Sequence, residues 1–284
     1  MSLEGLGARA GDPSRRARAL SIEFIGATGA GKTTLARRLV ATGAGGRRTR
    51  YWTELVTDHP GLRWVRDRHA INLLADVAAL PAWIPPTAPD RELARFAFDR
   101  LRHHAPSTAL GLNYLRNVIR KIGIYRLAER ADPTTAIVFD EGTVLVAYQL
   151  FVYSRAPFTT AELQRFAELV PLPDRIVHVR APIDVLTARA MERSDRRREL
   201  ARTDADATRR WIERAVELFG ALVELEPIRA RTRTVELGDG SPDGATPTAD
   251  EIAGWLEPEA PPGTASETRP RTKRSPTGEP TWRS

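Results

Sequence analysis

The chain contains no cysteine, which excludes disulfide bonds and thiolate metal sites over all 284 residues. Its longest apolar stretches are far shorter than a membrane span, and its first residues lack the apolar core of a secretory signal. Only three of the 43 Lys and Arg residues are lysines, namely Lys32, Lys121 and Lys273. These absences favour a cytoplasmic protein with no membrane partner.

The net charge of +7 raises the question of a nucleic-acid partner. The basic residues are spread along the chain, and aromatic stacking motifs do not alternate with them. A site for anionic nucleotides, or a general arginine bias, accounts for the charge equally well. We therefore expect no nucleic-acid partner.

Residues 26–33 form a complete G-x-x-x-x-G-K-[ST] phosphate loop, which is the most specific motif of the sequence. An apolar run over 20–25 enters the loop as a strand would, and a helical pattern over 34–40 leaves it. In such a loop the backbone N–H groups and the helix N-terminus surround a polyphosphate. The predicted ATP-binding residues are Gly26, Ala27, Thr28, Gly29, Ala30, Gly31, Lys32, Thr33 and Thr34. Lys32 would reach the β- and γ-phosphates and Thr33 would hold Mg²⁺, unless the segment is a glycine-rich turn that binds nothing.

Strand-like and helix-like segments alternate along the chain, which predicts a three-layer α/β P-loop NTPase fold with a parallel sheet flanked by helices. The predicted strands are 19–25, 49–53, 136–140, 175–179 and 232–237. The predicted helices are 32–42, 61–80, 90–104, 107–130, 160–170, 182–194, 204–225 and 248–256, and the Pro-rich segment 81–89 should end the second of them. We expect one domain over 19–256, between a disordered basic N-terminus (1–18) and a disordered tail (257–284). Its active site should lie at the carboxyl ends of the strands.

Three acidic residues follow predicted strands and are candidates for the chemistry. Asp140 ends an apolar strand as a Walker B acid does, so we predict that it holds Mg²⁺ together with Thr33. Glu141 would tune that site or contact the acceptor of the phosphoryl group. Glu54 follows the second strand and would accept or orient the proton of an acceptor hydroxyl. Each acid could instead be a solvated residue where a strand ends.

An arginine-rich segment predicts a lid. Arg189, Arg193 and Arg196 fall at i, i+4 and i+7, on one face of a helix. A closing arginine can neutralise the charge on a transferring phosphoryl group, and closure excludes water. We place the lid at about 193–205 and predict a catalytic role for Arg193, with a solvated basic helix end as the alternative.

Several segments resemble the P-loop nucleoside and nucleotide kinases, most of all thymidylate kinases. Residues 24–35 match the opening of that family, and Thr53-Glu54 stands where the family carries an acidic motif. Residues 96–100 are similar to its helix segment ending in Asp-Arg, and Asp140 followed by residues 147–149 resembles its Asp-Arg motif with a downstream Ala-Tyr-Gln.

The resemblance implies an ATP-dependent phosphotransferase acting on a nucleotide or nucleoside-like acceptor. By this resemblance, Arg100, Glu141, Tyr148 and Gln149 would bind the small-molecule acceptor. The family also commonly pairs helices into dimers, so a homodimer is a further expectation.

The sequence departs from the family in three places. Glu141 replaces an arginine that normally helps to bind the acceptor phosphate, the spacing from Asp140 to Ala-Tyr-Gln is one residue shorter, and the helix at 107–130 is extra. An acid in place of a cation favours a less anionic acceptor, such as a nucleoside or another hydroxyl compound. A non-nucleotide acceptor and a regulatory P-loop ATPase are alternatives, although the chain lacks the Asn-Lys-x-Asp motif of GTPases and the Leu-Ser-Gly-Gly-Gln signature of transporter ATPases.

Overall fold

A computed structural model describes residues 18–44, 46–58, 65, 67–154, 156–192, 204–238 and 245–256. The strands in this part of the chain are β1 (Leu20–Ile25), β2 (Arg48–Tyr51), β3 (Thr135–Phe139), β4 (Arg175–Arg180) and β5 (Thr232–Glu236). The helices are α1 (Lys32–Thr42), α2 (Glu54–Thr57), α3 (Arg68–Trp83), α4 (Ala88–His104), α5 (Thr108–Glu129), α6 (Thr160–Leu169), α7 (Ile183–Glu192), α8 (Ala205–Glu224), α9 (Glu226–Arg229) and α10 (Ala245–Leu256). A π-helical turn at Tyr148–Val152 lies between β3 and α6.

The five strands form one parallel sheet in the order β2-β3-β1-β4-β5. From β1 the chain first crosses to β2, at one edge of the sheet. It then moves back across the sheet, from β2 to β3, β4 and β5, in the opposite direction. Because crossovers between parallel strands are right-handed, α1 must lie on one face and helices α2 to α8 on the other. The contacts agree, since α1 packs against α10 whereas α5 packs on β1 and α8 on β4. The predicted three-layer α/β P-loop fold is confirmed.

The central strands are apolar because helices cover both faces of the sheet. All five residues of β3 are buried, as are Ile22, Phe24 and Ile25 of β1. An acid interrupts this pattern: the Glu23 carboxylate lies in the middle of β1 and is also buried. None of the described helices has the length and apolar character needed to cross a membrane.

The long helix predicted at 107–130 is confirmed as α5. The Ser107 side chain begins it by accepting a hydrogen bond from the Leu110 N–H at 3.3 Å. Its inward face carries Tyr114, Val118 and Ile122, which are all buried. This helix forms one wall of the region between the sheet and α3.

The helix predicted at 61–80 differs from the structure at its end. Helix α3 continues through Pro81 to Trp83, and the Ile84 N–H still bonds to the Leu80 carbonyl at 3.1 Å. Proline is tolerated here because it lies in the last turn, where little of the helix follows the missing N–H. The start predicted at 61 falls on residues outside the described ranges.

Several large apolar side chains of α3 point outward. Leu73, Val77 and Leu80 are each more than half exposed, whereas Ala75 and Ala79 are buried. Small residues face α5 because the two helices approach closely there: a Cβ on Gly123 would lie 2.3 Å from the Ala79 carbonyl oxygen.

Two boundaries were also misplaced. Strand β2 ends at Tyr51, and Glu54 is the first residue of the short helix α2 rather than the end of the strand. Helix α10 begins at Ala245 instead of residue 248. The termini predicted to be disordered lie outside the described residues except for Arg18, which pairs with Glu129 and Asp174. Most of the predicted lid, residues 193–203, lies outside them as well.

The close approach of α3 and α5 yields a matched pair of substitutions. We expect Gly123→Ala to lower the free energy of unfolding by about 1–3 kcal/mol, since its methyl group must push the helices apart. Gly220→Ala in α8 meets nothing within 4 Å and should raise it by about 0.5–1 kcal/mol. Urea denaturation followed by circular dichroism measures both, and equal effects of the two substitutions would contradict the packing described.

Candidate active site

The phosphate loop connects the carboxyl end of β1 to the first turn of α1. Gly26, Gly29 and Gly31 have φ values of 133°, 85° and 89°. Residues with a Cβ rarely adopt these backbone conformations, whereas glycine adopts them readily. Gly26 also passes so close to β4 that a Cβ would lie 2.3 Å from the Val179 carbonyl oxygen. The loop therefore has the tight, inward-turned backbone that a polyphosphate requires.

Within the loop, the predicted residues differ in exposure. Ala27, Thr28 and Ala30 are buried, and Thr34 is exposed on the first turn of α1. The Lys32 ammonium donates hydrogen bonds to the carbonyls of Gly26 at 2.9 Å and Ala27 at 2.8 Å. The ammonium thus lies across the loop, next to the space that its backbone encloses.

Thr33 and Asp140 meet across the ends of β1 and β3. The Thr33 hydroxyl donates to the Asp140 Oδ2 at 2.7 Å, although 107 residues separate them in sequence. The Trp52 indole N–H donates to Asp140 Oδ1 at 3.2 Å. The Tyr51 phenol also bonds to Asp140. Burial is the main cause that raises the pKa of Tyr51 above its ordinary value, and the Asp140 carboxylate raises it further. Three side chains thus fix the position of one carboxylate.

The donor set at this point suits Mg²⁺. Magnesium prefers oxygen ligands and commonly takes only one or two protein groups, the rest being phosphate and water. Thr33 and Asp140 offer a hydroxyl and a carboxylate oxygen side by side beside the phosphate loop. In the described part of the chain there is no cluster of three or more acidic or histidine ligands, so no competing all-protein metal site is present there.

Glu54 lies in the turn that ends β2. Its carboxylate accepts a hydrogen bond from the Tyr51 N–H at 3.0 Å and pairs with Arg50 at 3.4 Å. The Glu54 carboxylate therefore holds the end of β2, which lies two residues earlier than the sequence pattern suggested, and its catalytic role stays a prediction.

Arg100 has a structural role rather than the predicted role in acceptor binding. Its guanidinium lies 4.5 Å from the centre of the Phe151 ring and donates to the Leu150 carbonyl at 2.8 Å and the Pro157 carbonyl at 3.1 Å. It also pairs with Glu162, which caps α6. With only 3% of its side chain exposed, Arg100 is not available to an acceptor phosphate.

Tyr148 supports the phosphate loop. Its phenol accepts a hydrogen bond from the Thr28 N–H and donates one to the Thr28 hydroxyl, both at 3.3 Å. Its ring packs against Trp211 and Phe219 of α8. Tyr148 thus lies beside the phosphate loop and links it to α8, and its predicted role in acceptor binding stays a prediction.

Gln149 is buried in the π-helical turn, and its Oε1 has no hydrogen-bond partner among the described residues. Single π-helical turns occur often at functional sites. The predicted role of Gln149 in acceptor binding stays a prediction.

A small cavity of about 30 Å³ lies beside Asp140, between the ends of β2 and β3 and the helices α3 and α5. Its lining includes the apolar side chains of Trp52, Ile124 and Phe139. It also includes the polar side chains of Asn72, Arg120, Lys121 and Glu141. Because Trp52 both lines the cavity and holds Asp140, the cavity lies next to the Thr33–Asp140 pair.

Two buried charges near this cavity were not identified as site residues from the sequence. The Glu23 carboxylate accepts hydrogen bonds from the N–H groups of Val144 at 3.1 Å and Leu145 at 2.8 Å. Burial raises the pKa of Glu23 to about 6. The Lys121 ammonium donates to the Glu141 carbonyl and lies 3.6 Å from Glu141 Oε2; burial lowers the pKa of Lys121, and Glu141 opposes that shift. The sequence offered two signals: Glu23 is a charged residue inside an apolar strand, and Lys121 is one of three lysines.

Of the predicted lid arginines, Arg189 is described. It lies near the end of α7, and its guanidinium donates to the Gly29 carbonyl of the phosphate loop at 3.0 Å. Arg193 and Arg196 fall outside the described residues, so the catalytic role of Arg193 stays a prediction.

Comparison with known proteins adds likeness in structure but not in sequence. No family model matches the sequence, and no curated protein matches it significantly. The chain is similar to shikimate kinase from Acinetobacter baumannii in complex with shikimate, with a TM-score of 0.40, 15% identity, and coverage of 86% of this chain and 97% of that one. It is also similar to TT1252 from Thermus thermophilus, with a TM-score of 0.35, 15% identity, and coverage of 85% and 100%. Likeness at this level identifies neither a family nor an activity.

The Thr33–Asp140 pair can be tested with two substitutions at one position. Thr33→Val keeps the shape but removes the hydroxyl, so we expect the affinity for Mg·ATP to fall about tenfold while the affinity for ATP in EDTA stays close to that of the wild type. Thr33→Ser keeps the hydroxyl and should bind Mg·ATP normally. Titration calorimetry with and without Mg²⁺ measures this, and equal losses in the two variants would argue against a metal-binding hydroxyl.

The structural role of Arg100 predicts that removing its guanidinium destabilises the protein. We expect Arg100→Met to lower the free energy of unfolding by about 2–4 kcal/mol, since buried carbonyls and Glu162 lose their donor. The control is Arg165→Met, because Arg165 forms a half-exposed ion pair with Glu92 and its loss should change stability by less than about 0.5 kcal/mol. Chemical denaturation measures both; unchanged stability in Arg100→Met would contradict the structural role.

Proposed function

We propose that the chain is an ATP-dependent small-molecule kinase, which transfers the γ-phosphoryl group of ATP to a hydroxyl of an acceptor. The observation that carries this proposal is the Thr33–Asp140 contact of 2.7 Å beside a complete phosphate loop. Phosphoryl transfer needs a phosphate cradle, a lysine and a site for Mg²⁺ close together, since catalysis is mainly positioning and charge stabilisation. Bound Mg²⁺ would neutralise charge on the phosphates, and Lys32 would do the same from the loop.

The acceptor would bind beside Asp140, where the small cavity lies. A second substrate must lie within reach of the γ-phosphate, and this cavity lies at the same edge of the sheet as the loop. The cavity has room for about two water molecules, so the acceptor would have to widen it. Trp52, Ile124 and Phe139 would then contact a ring or other flat apolar group, and the polar lining residues would contact hydroxyl groups.

Within this class we propose an acceptor without a phosphate group, such as a nucleoside-like or another small hydroxyl compound. A nucleoside monophosphate would need a cation for its phosphate, and the charges near the cavity are already paired. Lys121 lies against Glu141, Arg120 lies 3.7 Å from Asp76, and Arg100 is committed elsewhere. The acid at position 141, where the thymidylate kinases carry an arginine, supports the same choice.

The runner-up is a regulatory P-loop ATPase, which needs no acceptor. The cavity beside the phosphate site favours the kinase, because an ATPase has no use for a second substrate site. Cytoplasmic location, a homodimer and a phosphoryl-transfer role for Arg193 remain proposals that follow from the kinase hypothesis.

The experiment is to measure ADP formation from Mg·ATP with nucleosides, nucleoside monophosphates, and small polyols or hydroxy acids. We expect ADP to form with one class of phosphate-free acceptor, together with a phosphate monoester detected by ³¹P NMR. Lys32→Ala should abolish both signals, because the ammonium at the phosphates is lost. ADP formed equally without any acceptor would instead identify an ATPase, and preference for a monophosphate would overturn the proposed acceptor class.

A further inference from the structure

Two aromatic residues where β2 ends hold the carboxylate of Asp140. Tyr51 is the last residue of the strand, and Trp52 follows it. The Trp52 indole N–H donates to Asp140 Oδ1 at 3.2 Å, and the Tyr51 phenol donates a further hydrogen bond to this carboxylate. The Thr33 hydroxyl donates to Oδ2 at 2.7 Å. Both oxygens of Asp140 are therefore already engaged in hydrogen bonds.

The aromatic pair acts on the groups that the proposed function assigns to Mg²⁺, namely Thr33 and Asp140. On the basis of that function, we propose that Tyr51 and Trp52 are positioning residues that make this site selective for Mg²⁺ over Ca²⁺. They hold the Asp140 carboxylate so that it cannot bind a metal ion through both oxygens at once. Thr33 and Asp140 remain the groups that hold the metal ion.

Mg²⁺ and Ca²⁺ differ in what they require of a carboxylate. Mg²⁺ needs near-ideal octahedral geometry, keeps several waters, and takes few protein ligands beside the phosphates of a nucleotide. Ca²⁺ takes roughly six to eight oxygen ligands at longer distances, and a carboxylate can supply two of them. With Oδ1 bound to Trp52, Asp140 can serve Mg²⁺ through a single oxygen or a bound water. To serve Ca²⁺ through both oxygens, it must first give up the indole.

The indole cannot follow a carboxylate that turns, because its backbone is fixed. The Trp52 N–H donates to the Val138 carbonyl of β3 at 3.0 Å, and its carbonyl accepts from the Leu55 N–H at 3.1 Å. The side chain of Trp52 packs against the buried cluster that contains Val56 and Phe139. A rotation of Asp140 would therefore break the hydrogen bond rather than carry Trp52 along.

Tyr51 is fixed by the sheet itself. It lies opposite Val138 in the register of β2 with β3, and its N–H donates to Glu54 Oε1 at 3.0 Å. Glu54 thus holds the turn from which both aromatic side chains reach Asp140. The two donors and the acceptor belong to neighbouring parallel strands, so their relative positions follow from backbone hydrogen bonds.

The first test removes the indole donor with Trp52→Phe, which keeps an aromatic ring. Titration calorimetry measures binding of the non-hydrolysable analogue AMP-PNP with Mg²⁺, with Ca²⁺ and in EDTA. We expect the ratio of Mg²⁺-complex to Ca²⁺-complex affinity to fall about tenfold, because one hydrogen bond to a charged group no longer opposes Ca²⁺. Binding in EDTA should not change.

The matched control is Trp255→Phe. Trp255 lies on α10, where the Arg175 guanidinium faces its ring at the amino end of β4, at the opposite edge of the sheet from the phosphate loop. Its substitution should leave the ratio as in the wild type. An unchanged ratio in Trp52→Phe overturns this inference, whereas the proposed function fails only if the wild type makes no acceptor-dependent ADP.

The second test asks whether the aromatic pair acts through Asp140. Tyr51→Phe should lower the ratio in the same direction as Trp52→Phe, and the double variant should lower it further. In an Asp140→Ala background, Trp52→Phe should cause no additional change, since the carboxylate that it positions is gone. A tenfold change that persists in Asp140→Ala would show that Trp52 affects the site by another route and would contradict its positioning role.

A third measurement needs no substitution at Trp52, and so decides the matter if Trp52→Phe does not fold. The chain has six tryptophans, whose indole N–H groups give separate ¹⁵N–¹H resonances. We expect Asp140→Ala to move one of them upfield, because that indole loses its carboxylate acceptor. In the wild type, Ca²⁺ with AMP-PNP should move the same resonance upfield, and Mg²⁺ with AMP-PNP should move it much less. Equal shifts with the two metals would overturn the proposed selectivity.

Discussion

The pairing of β1 with β3 fixes where the chemical groups of the site can meet. In the observed register Glu23 lies opposite Phe139, so Asp140 follows β3 beside the last residues of β1, which lead into the phosphate loop. The backbone hydrogen bonds of the sheet therefore bring the Thr33 hydroxyl to the Asp140 carboxylate. A slip of one residue would turn every side chain of β3 to the opposite face and remove this contact. The arrangement of the phosphate loop and Asp140 is thus a property of the sheet, and the helices α3 and α5 add the neighbouring cavity.

The charged residues beside the cavity depend on a different principle, the pairing of buried charges. A lysine and a glutamate with little access to water are costly unless each has partners. Glu23 meets this condition with two backbone N–H groups and a hydroxyl, and Lys121 meets it with Glu141. An apolar pair of similar size would often be as stable. A charged cluster that faces a cavity next to Asp140 is therefore better explained by the chemistry of that cavity than by stability alone.

The sequence predicted the features that depend on residues close together in the chain. It missed the contacts between residues that are distant in sequence. The phosphate loop, the five strands and α5 could be predicted because their patterns are local. The partners of Asp140 could not, since Trp52 lies 88 residues away, and neither could the contact from Lys121 to Glu141. Arg100 shows the opposite error: a short motif resembled an acceptor-binding arginine, but Phe151 and Glu162, both distant in sequence, enclose it. The end of β2 was misplaced for a smaller reason, because the strand ends at Tyr51, earlier than its pattern indicated, and Glu54 begins α2.

The charge balance at the cavity also limits which acceptors can fit. A phosphate group would bring about two negative charges beside Asp140, Glu141 and the phosphates of the nucleotide. The cations that line the cavity, Arg120 and Lys121, already face Asp76 and Glu141, so a phosphorylated acceptor would have to compete with these carboxylates for them. A neutral hydroxyl compound meets no such competition, and its hydroxyl can donate to Glu141 while its apolar part contacts Trp52. Each charge of the cavity is then satisfied both with and without the acceptor, which is the condition for binding a neutral molecule without leaving a buried ion unpaired.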